Sequence, residues 1–247
     1  MPVTIQIRFY EELNDFLPLV RRKKTFSHSF EGNMTIKDII ESLGVPHTEI
    51  DLILVNGQSV DFKYRPKEGD QVSVYPVFES FDIANVTRLR PKPLRETRFI
   101  LDVHLGKLAR YLRMTGFDTL YENDYEDNQI IQIAKKEHRI ILTRDLGILK
   151  NGNVTHGYFI RSQNPKAQLN EVIESFDLKG QIQPFNRCMN CNSKIVCVEK
   201  KDIANQLLPK TLRYFDEFFQ CTGCGKIYWE GSHYKKMLNR IESLNNH

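Results

Sequence analysis

Three aspartates, Asp102, Asp127 and Asp145, and four cysteines, Cys188, Cys191, Cys221 and Cys224, are the residues whose types and spacing point to chemistry. Asp102 directly follows the apolar run Phe99-Ile100-Leu101, and Asp145 follows Ile140-Ile141-Leu142 after Thr143-Arg144. Short apolar runs alternating with helical patterns predict a parallel sheet, whose strand C-termini face one ligand-binding crevice. Asp102 and Asp145 are therefore expected to point at the same place. Converging carboxylates repel one another unless a cation lies between them, and hard oxygen ligands suit Mg²⁺ or Mn²⁺. Such an ion can activate water and stabilise the charge of a phosphoryl displacement. Lys107, Arg110 and Arg144 are placed to hold a phosphate backbone. Two of the acids have a second reading, Asp127 as a helix N-cap and Asp145 as a turn residue before Gly147.

The cysteines form two C-x2-C pairs, Cys188/Cys191 and Cys221/Cys224. Two thiolate pairs complete a tetrahedral Zn²⁺ site with no open position, so the zinc would be structural. Cys197 lies in the apolar run Ile195 to Val198 and is expected to be a buried thiol. After the second pair comes Lys226-Ile227-Tyr228-Trp229-Glu230-Gly231-Ser232-His233-Tyr234-Lys235-Lys236. Aromatics interleaved with Lys can stack on bases; alternatively Tyr228 and Trp229 pack on the ribbon. Lys235 and Lys236 are expected to face solvent as RNA contacts.

The elements that would position these groups are legible in the periodicity. Leu105, Leu108, Ala109 and Leu112 predict a helix with one apolar face, ended by Gly116, with Lys107, Arg110 and Arg113 largely off that face. Thr119 to Tyr121 reads as a strand. The acidic loop Glu122, Asp124, Glu126, Asp127 leads into a helix carrying Ile130, Ile131, Ile133 and Ala134. Val154 to Arg161 reads as a fourth strand, with His156 a packing residue first and a substrate contact second. Ala167, Leu169, Val172, Ile173 and Phe176 suit a closing amphipathic helix.

FILDVHLGKLARYLRMTGFDT and DNQIIQIAKKEHRIILTRD resemble the RNase domain at the C-terminus of the Mut-seven exonuclease, a relative of the PIN-domain nucleases. KIYWEGSHY matches the tail of the same family. The resemblance implies a PIN-like three-layer α/β/α domain with a parallel sheet and a zinc ribbon. It also implies metal-dependent hydrolysis of RNA to 5′-phosphate and 3′-hydroxyl products. It carries over Asp102, Asp127 and Asp145 as the acids holding Mg²⁺ or Mn²⁺, with Asp124 as the fourth.

Ahead of this lies a different pattern. Val3, Ile5, Ile7 and Phe9 alternate with polar residues, and Lys24 to Phe30 can pair with them. Thr35 and Asp38 form a capping-box variant before Ile36, Ile39, Ile40 and Leu43, with Gly44 as the stop. Leu52 to Val55 runs into the tight turn Asn56-Gly57, and Gly69-Asp70 turns into Val72, Val74 and Tyr75. The order, with LVNGQSV and KEGDQVSVYPVF, resembles the ubiquitin-like β-grasp, and most of all the thiamine and molybdopterin sulfur carriers. Those react through a terminal Gly-Gly, which does not follow here, so a docking or RNA-presenting role with a protein partner is expected instead.

The expected domains are a β-grasp over 1–82, a basic Pro-containing linker over 83–97, a PIN-like RNase over 98–183 and a zinc ribbon over 184–247. In the linker, Arg88, Arg90, Lys92 and Arg95 are further candidates for contact with nucleic acid. Residues 1–85 hold nine basic and thirteen acidic side chains, a net −4, and the remainder carries +8. The positive excess lies with the segments expected to bind an anionic polymer. No run of about 18 apolar residues predicts a membrane span, no signal peptide is read at the N-terminus, and cysteines spaced for metal point to the cytoplasm. The expected function is a metal-dependent ribonuclease; the alternative is a non-catalytic RNA-binding or adaptor protein with a β-grasp docking domain.

Overall fold

The computed structural model describes residues 2–76 and 97–245. The linker arginines and Lys92 lie outside the described residues.

The N-terminal sheet forms from strands with period-two patterning. β1 (Val3–Phe9) pairs antiparallel with β2 (Phe26–Phe30) and parallel with the last strand of the sheet, Gln71–Pro76, and Ile5, Ile7 and Phe9 are all buried in the core. α1 (Ile36–Ser42) starts at a complete capping box: the Thr35 hydroxyl oxygen accepts from the Asp38 N–H, and the Asp38 carboxylate accepts from the Thr35 N–H. Its Ile36, Ile39 and Ile40 are fully buried against β1, β3 (Ile50–Val55) and β5 (Gln71–Pro76). β4 (Gln58–Ser59) closes the hairpin through Asn56 and Gly57, both at positive φ (51° and 81°), as a two-residue hairpin turn demands. The strand order is β2-β1-β5-β3-β4.

A four-stranded sheet follows, with order β7-β6-β8-β9. Its strands are β6 (Arg98–Leu101), β7 (Asp118–Leu120), β8 (Ile140–Thr143) and β9 (Gly157–Phe159), with β6 parallel to β7 and β8 parallel to β9. Its helices are α2 (Gly106–Met114), α3 (Asp127–Glu137), α4 (Leu146–Lys150) and α5 (Pro165–Ser175). The fourth strand is shorter than its apolar run, and α4 was not expected. On α5, Leu169, Val172 and Ile173 are buried as the periodicity requires. Ala167 is exposed, and Gln168 is buried in its stead, its amide donating to the Ser162 carbonyl.

The third sheet is antiparallel, β10-β11-β12. β10 is Ile195–Val198, β11 Phe218–Cys221 and β12 Ile227–Tyr228. The short helices α6 (Lys200–Ile203) and α7 (Pro209–Tyr214) lie between β10 and β11, and α8 (Ser232–Asn245) follows β12.

The chain forms two compact units, residues 1–96 with 131–159 and residues 97–130 with 160–247. In the first, the turn His47–Glu49 packs on β9 and α4. The Glu49 carboxylate accepts from the Phe159 N–H (2.5 Å), and His47 Nε2 lies 2.8 Å from the Val154 carbonyl oxygen. Lys150 Nζ donates to the Glu41 carbonyl (3.0 Å), and Phe16 meets Phe159 edge-on. The turn after α1 thus supplies polar partners to backbone of β9 and of the segment before it.

In the second unit, fully buried Phe99 meets Phe117 and Phe176 edge-to-face. Gly116 ends α2 with φ +100°, where a Cβ would lie 2.2 Å from the Gln183 carbonyl oxygen, so only glycine fits.

Candidate functional site

The four cysteines come together as the spacing predicts. Their sulfurs all lie within 4.8 Å of one another, with Cys188–Cys224 at 3.6 Å and Cys191–Cys221 at 3.3 Å. A tetrahedron of ~2.3 Å Zn–S bonds has sulfurs about 3.8 Å apart, so the donor set fits zinc. Among the described residues this is the one group of three or more potential ligands so close together.

The two knuckles repeat one backbone design. Cys188 N–H donates to Ser193 O (2.8 Å) and Cys221 N–H to Lys226 O (2.9 Å); Asn192 N–H donates to Cys188 O (2.9 Å) and Gly225 N–H to Cys221 O (3.1 Å). The residue after the second cysteine is left-handed in both, Asn192 at φ 69° and Gly225 at φ 70°. Asn and Gly are the residues that adopt this conformation most readily.

Polar contacts favour the thiolate at Cys188 and Cys191, while at Cys224 the Lys226 N–H, which favours it too, is outweighed by burial and hydrogen bonds to the other three cysteines, and the thiol is pushed up to about 12. Burial pushes the Cys191 thiol up, but hydrogen bonds from Ser193 and from the neighbouring cysteines outweigh it and hold the group at about 6. Burial also opposes ionisation of Cys188, yet the Tyr228 hydroxyl, 3.0 Å away, and backbone N–H groups lower it. The Tyr228 phenol is correspondingly raised, by burial first and then by its hydrogen bond to Cys188. Four sulfurs would complete the shell of one ion and leave no open position, which is consistent with a structural zinc.

Cys197 departs from expectation: it is exposed. β10 is an edge strand of a three-stranded sheet, and neighbouring Val196 is also 46% exposed, so an apolar run here does not signal burial.

Arg113 is the residue that the periodicity reading misplaced. It is 3% exposed, and its guanidinium donates to the carbonyls of Thr119 (2.9 Å), Tyr121 (3.3 Å) and Asn190 (2.7 Å). Position 113 follows 105, 108, 109 and 112 at i+8, on the apolar stripe itself; that spacing was the available signal. Asn192, in the first knuckle, has its side-chain oxygen accepting from the Thr119 N–H (3.0 Å) and its amide donating to Asp118 (2.9 Å). Arg187 pairs with the same Asp118 carboxylate at 3.1 Å. The knuckle therefore closes the open edge of β7, an arrangement that no local pattern announces.

The acids stand at the ends of their elements. Asp102 comes directly after β6 and is 5% exposed. Asp127 is the first residue of α3 and is exposed, and Asp124 is exposed in the preceding loop. Asp145 follows β8 by two residues and is exposed; it N-caps α4, its carboxylate accepting from the Gly147 N–H at 2.6 Å. The turn reading of Asp145 thus holds for its backbone role. Lys107 and Arg110 are exposed on α2, Arg144 is half-buried, and Lys235 and Lys236 are exposed on α8. His156 is half-buried with its ring nitrogen 3.0 Å from Thr155 Oγ1.

A β-grasp sheet, a parallel four-stranded sheet with helices, and an antiparallel sheet with a four-cysteine cluster define an α/β protein with a C-terminal ribbon. The Mut7-C RNase domain is matched over residues 97–241 and the Mut7-C ubiquitin domain over residues 2–82. The chain belongs to the Mut7-C RNase domain family. Among solved structures, the Haloferax volcanii HVO 2177 protein is similar at 21% identity (TM-score 0.27), covering 32% of this chain and 88% of that one. SAMP1 from Haloferax volcanii is similar at 16% identity (TM-score 0.25), covering 32% of this chain and 99% of that one. No curated protein matches the chain. No helix among the described residues is long and apolar enough to cross a membrane.

Proposed function

We propose that the protein is a Mg²⁺- or Mn²⁺-dependent ribonuclease of the cytoplasm. The observation that carries this reading is the Mut7-C RNase match over residues 97–241. It is supported by the place of Asp102 directly after β6 and of Asp145 two residues after β8, since parallel strands of open sheets receive ligands beyond their C-terminal ends. Carboxylates are the donors that hard divalent ions take, so the set fits Mg²⁺ or Mn²⁺. Asp102, Asp127 and Asp145 would hold the ion, with Asp124 as a further carboxylate. When bound, such an ion supplies an acidified water and charge stabilisation at the phosphoryl group. Lys107, Arg110 and Arg144 orient the strand by pairing with its phosphates, with Lys235 and Lys236 extending the path.

The β-grasp domain serves as the docking module. Leu19 and Val20 (79% and 74% exposed), in the turn between β1 and β2 and beside the basic run Arg21 to Lys24, suit a protein partner.

The test is cleavage of single-stranded and structured RNA with Mn²⁺. Asp102→Asn and Asp145→Asn should abolish turnover while circular dichroism stays unchanged, because Asn at 145 can still accept the Gly147 N–H. Undiminished cleavage by either variant removes the site assignment. RNA binding by the wild type without turnover would instead favour a non-catalytic adaptor.

A further inference from the structure

The zinc-ribbon element holds a cavity of about 230 Å³ that the proposed chemistry does not use. Five aromatic rings wall it: Phe185, Phe219, Tyr228, Trp229 and Tyr234. The Phe185 and Tyr234 rings lie 4.7 Å apart, tilted by 39°, and Trp229 is 37% exposed. Ligand pockets for drug-sized molecules run to roughly 300–1,000 Å³. This one is smaller, of a size for a single planar ring system.

The charge around it is mixed towards positive. Arg187 and Glu230 both line the cavity. Lys226 Nζ sits 5.7 Å from the centre of the Tyr228 ring. Lys235 and Lys236 are exposed on the α8 turn that carries the lining residues Tyr234 and Met237. Beyond Trp229 the aromatic surface continues: Phe215 lies 6.4 Å from it, and Tyr214, 68% exposed, has the Arg213 guanidinium over its ring.

We propose that this cavity binds one unstacked nucleobase of single-stranded RNA, with the flanking lysines holding the adjoining phosphates. A base presents π-faces to aromatic walls, and its strand brings the anionic charge that Lys226, Lys235 and Lys236 match. Tyr214 offers a second stacking face, so the strand runs outward over α7. A protein side chain would use the apolar walls but leave the lysines without partners. The inference rests on the ribonuclease reading only in that RNA is the ligand; binding here needs no Mg²⁺ or Mn²⁺ and no aspartate.

Trp229 is the only tryptophan of the chain, so its emission reports on the cavity directly. The full-length zinc-loaded protein is titrated with a short oligo(A) ribonucleotide, without added Mg²⁺ or Mn²⁺ so that the strand stays intact. Saturable quenching is expected, weakening as salt rises. Phe185→Leu keeps apolar volume but loses a π-face, and should bind about ten-fold more weakly, within the range one base–aromatic stack carries. Tyr234→Ala should do the same, zinc content and circular dichroism confirming its fold. No quenching, or wild-type affinity in Phe185→Leu, overturns the proposal. So does quenching by an apolar dye but not by the oligonucleotide, which would mark a protein-docking site. Cleavage with no quenching removes the cavity and leaves the nuclease; quenching with no cleavage does the reverse.

Discussion

Arg113 shows how one side chain can join two elements. Its guanidinium reaches carbonyls of β7, of the loop after it and of the first cysteine knuckle. Burial depresses the Arg113 pKa, with Glu122, Cys191 and Cys188 opposing the shift, but guanidinium stays protonated in proteins. Replacing it with Met keeps volume and strands three acceptors. Arg113→Met should cost about 3 kcal/mol or more in urea denaturation, because unmet buried acceptors carry their full desolvation penalty. A second prediction concerns Asp70, 6% exposed in the β-grasp. Burial raises its pKa, but hydrogen bonds from the Lys67 N–H, Asn56 and Tyr64 outweigh it and hold the carboxyl below its ordinary 3.8. A depressed folded-state pKa stabilises above the unfolded value, and that stability is lost as pH falls through the folded one. Thermal stability should therefore drop in acid below about 3.8, and Asp70→Asn should flatten that portion of the profile.

At the scale of elements, the four-cysteine centre and the β7 edge are one assembly. The left-handed turn at Asn192 that shapes the knuckle also aims its amide at Thr119 and Asp118. Small metal-held elements take much of their folding free energy from the ion. Cys221→Ser, or chelation of the zinc, should lower the melting temperature of the chain. It should also speed hydrogen exchange at the Thr119 amide, which is remote in sequence from every cysteine. Exchange at Thr119 unchanged by zinc loss would show that the knuckle does not hold that edge.

At the scale of the molecule, the β-grasp domain closes backbone that the four-stranded sheet leaves open. Glu49, 3% exposed, accepts from the Phe159 N–H, and His47 bridges Glu41 and the Val154 carbonyl. Glu49→Ala should leave the β9 amide without its acceptor, costing about 1–3 kcal/mol and exposing Phe159 to exchange. An unchanged protection factor at Phe159 would deny the turn this sealing role.

What could be read from residue order alone was local. Period-two and period-3.6 patterns marked β1, α1, α2 and α5, Asn56-Gly57 marked a hairpin, and two C-x2-C pairs marked a tetrahedral centre. Each of these is set by bonds and sterics within a few neighbours, so residue order suffices. Tertiary structure decided that Arg113 is buried, Cys197 exposed, Asn192 fused to β7 and Glu49 bound to β9. Those outcomes depend on which backbone groups remain unpaired once the sheets are assembled, and on what distant side chain reaches them. Burial of a polar group is settled by its partner, and the partner here lies up to 110 residues away.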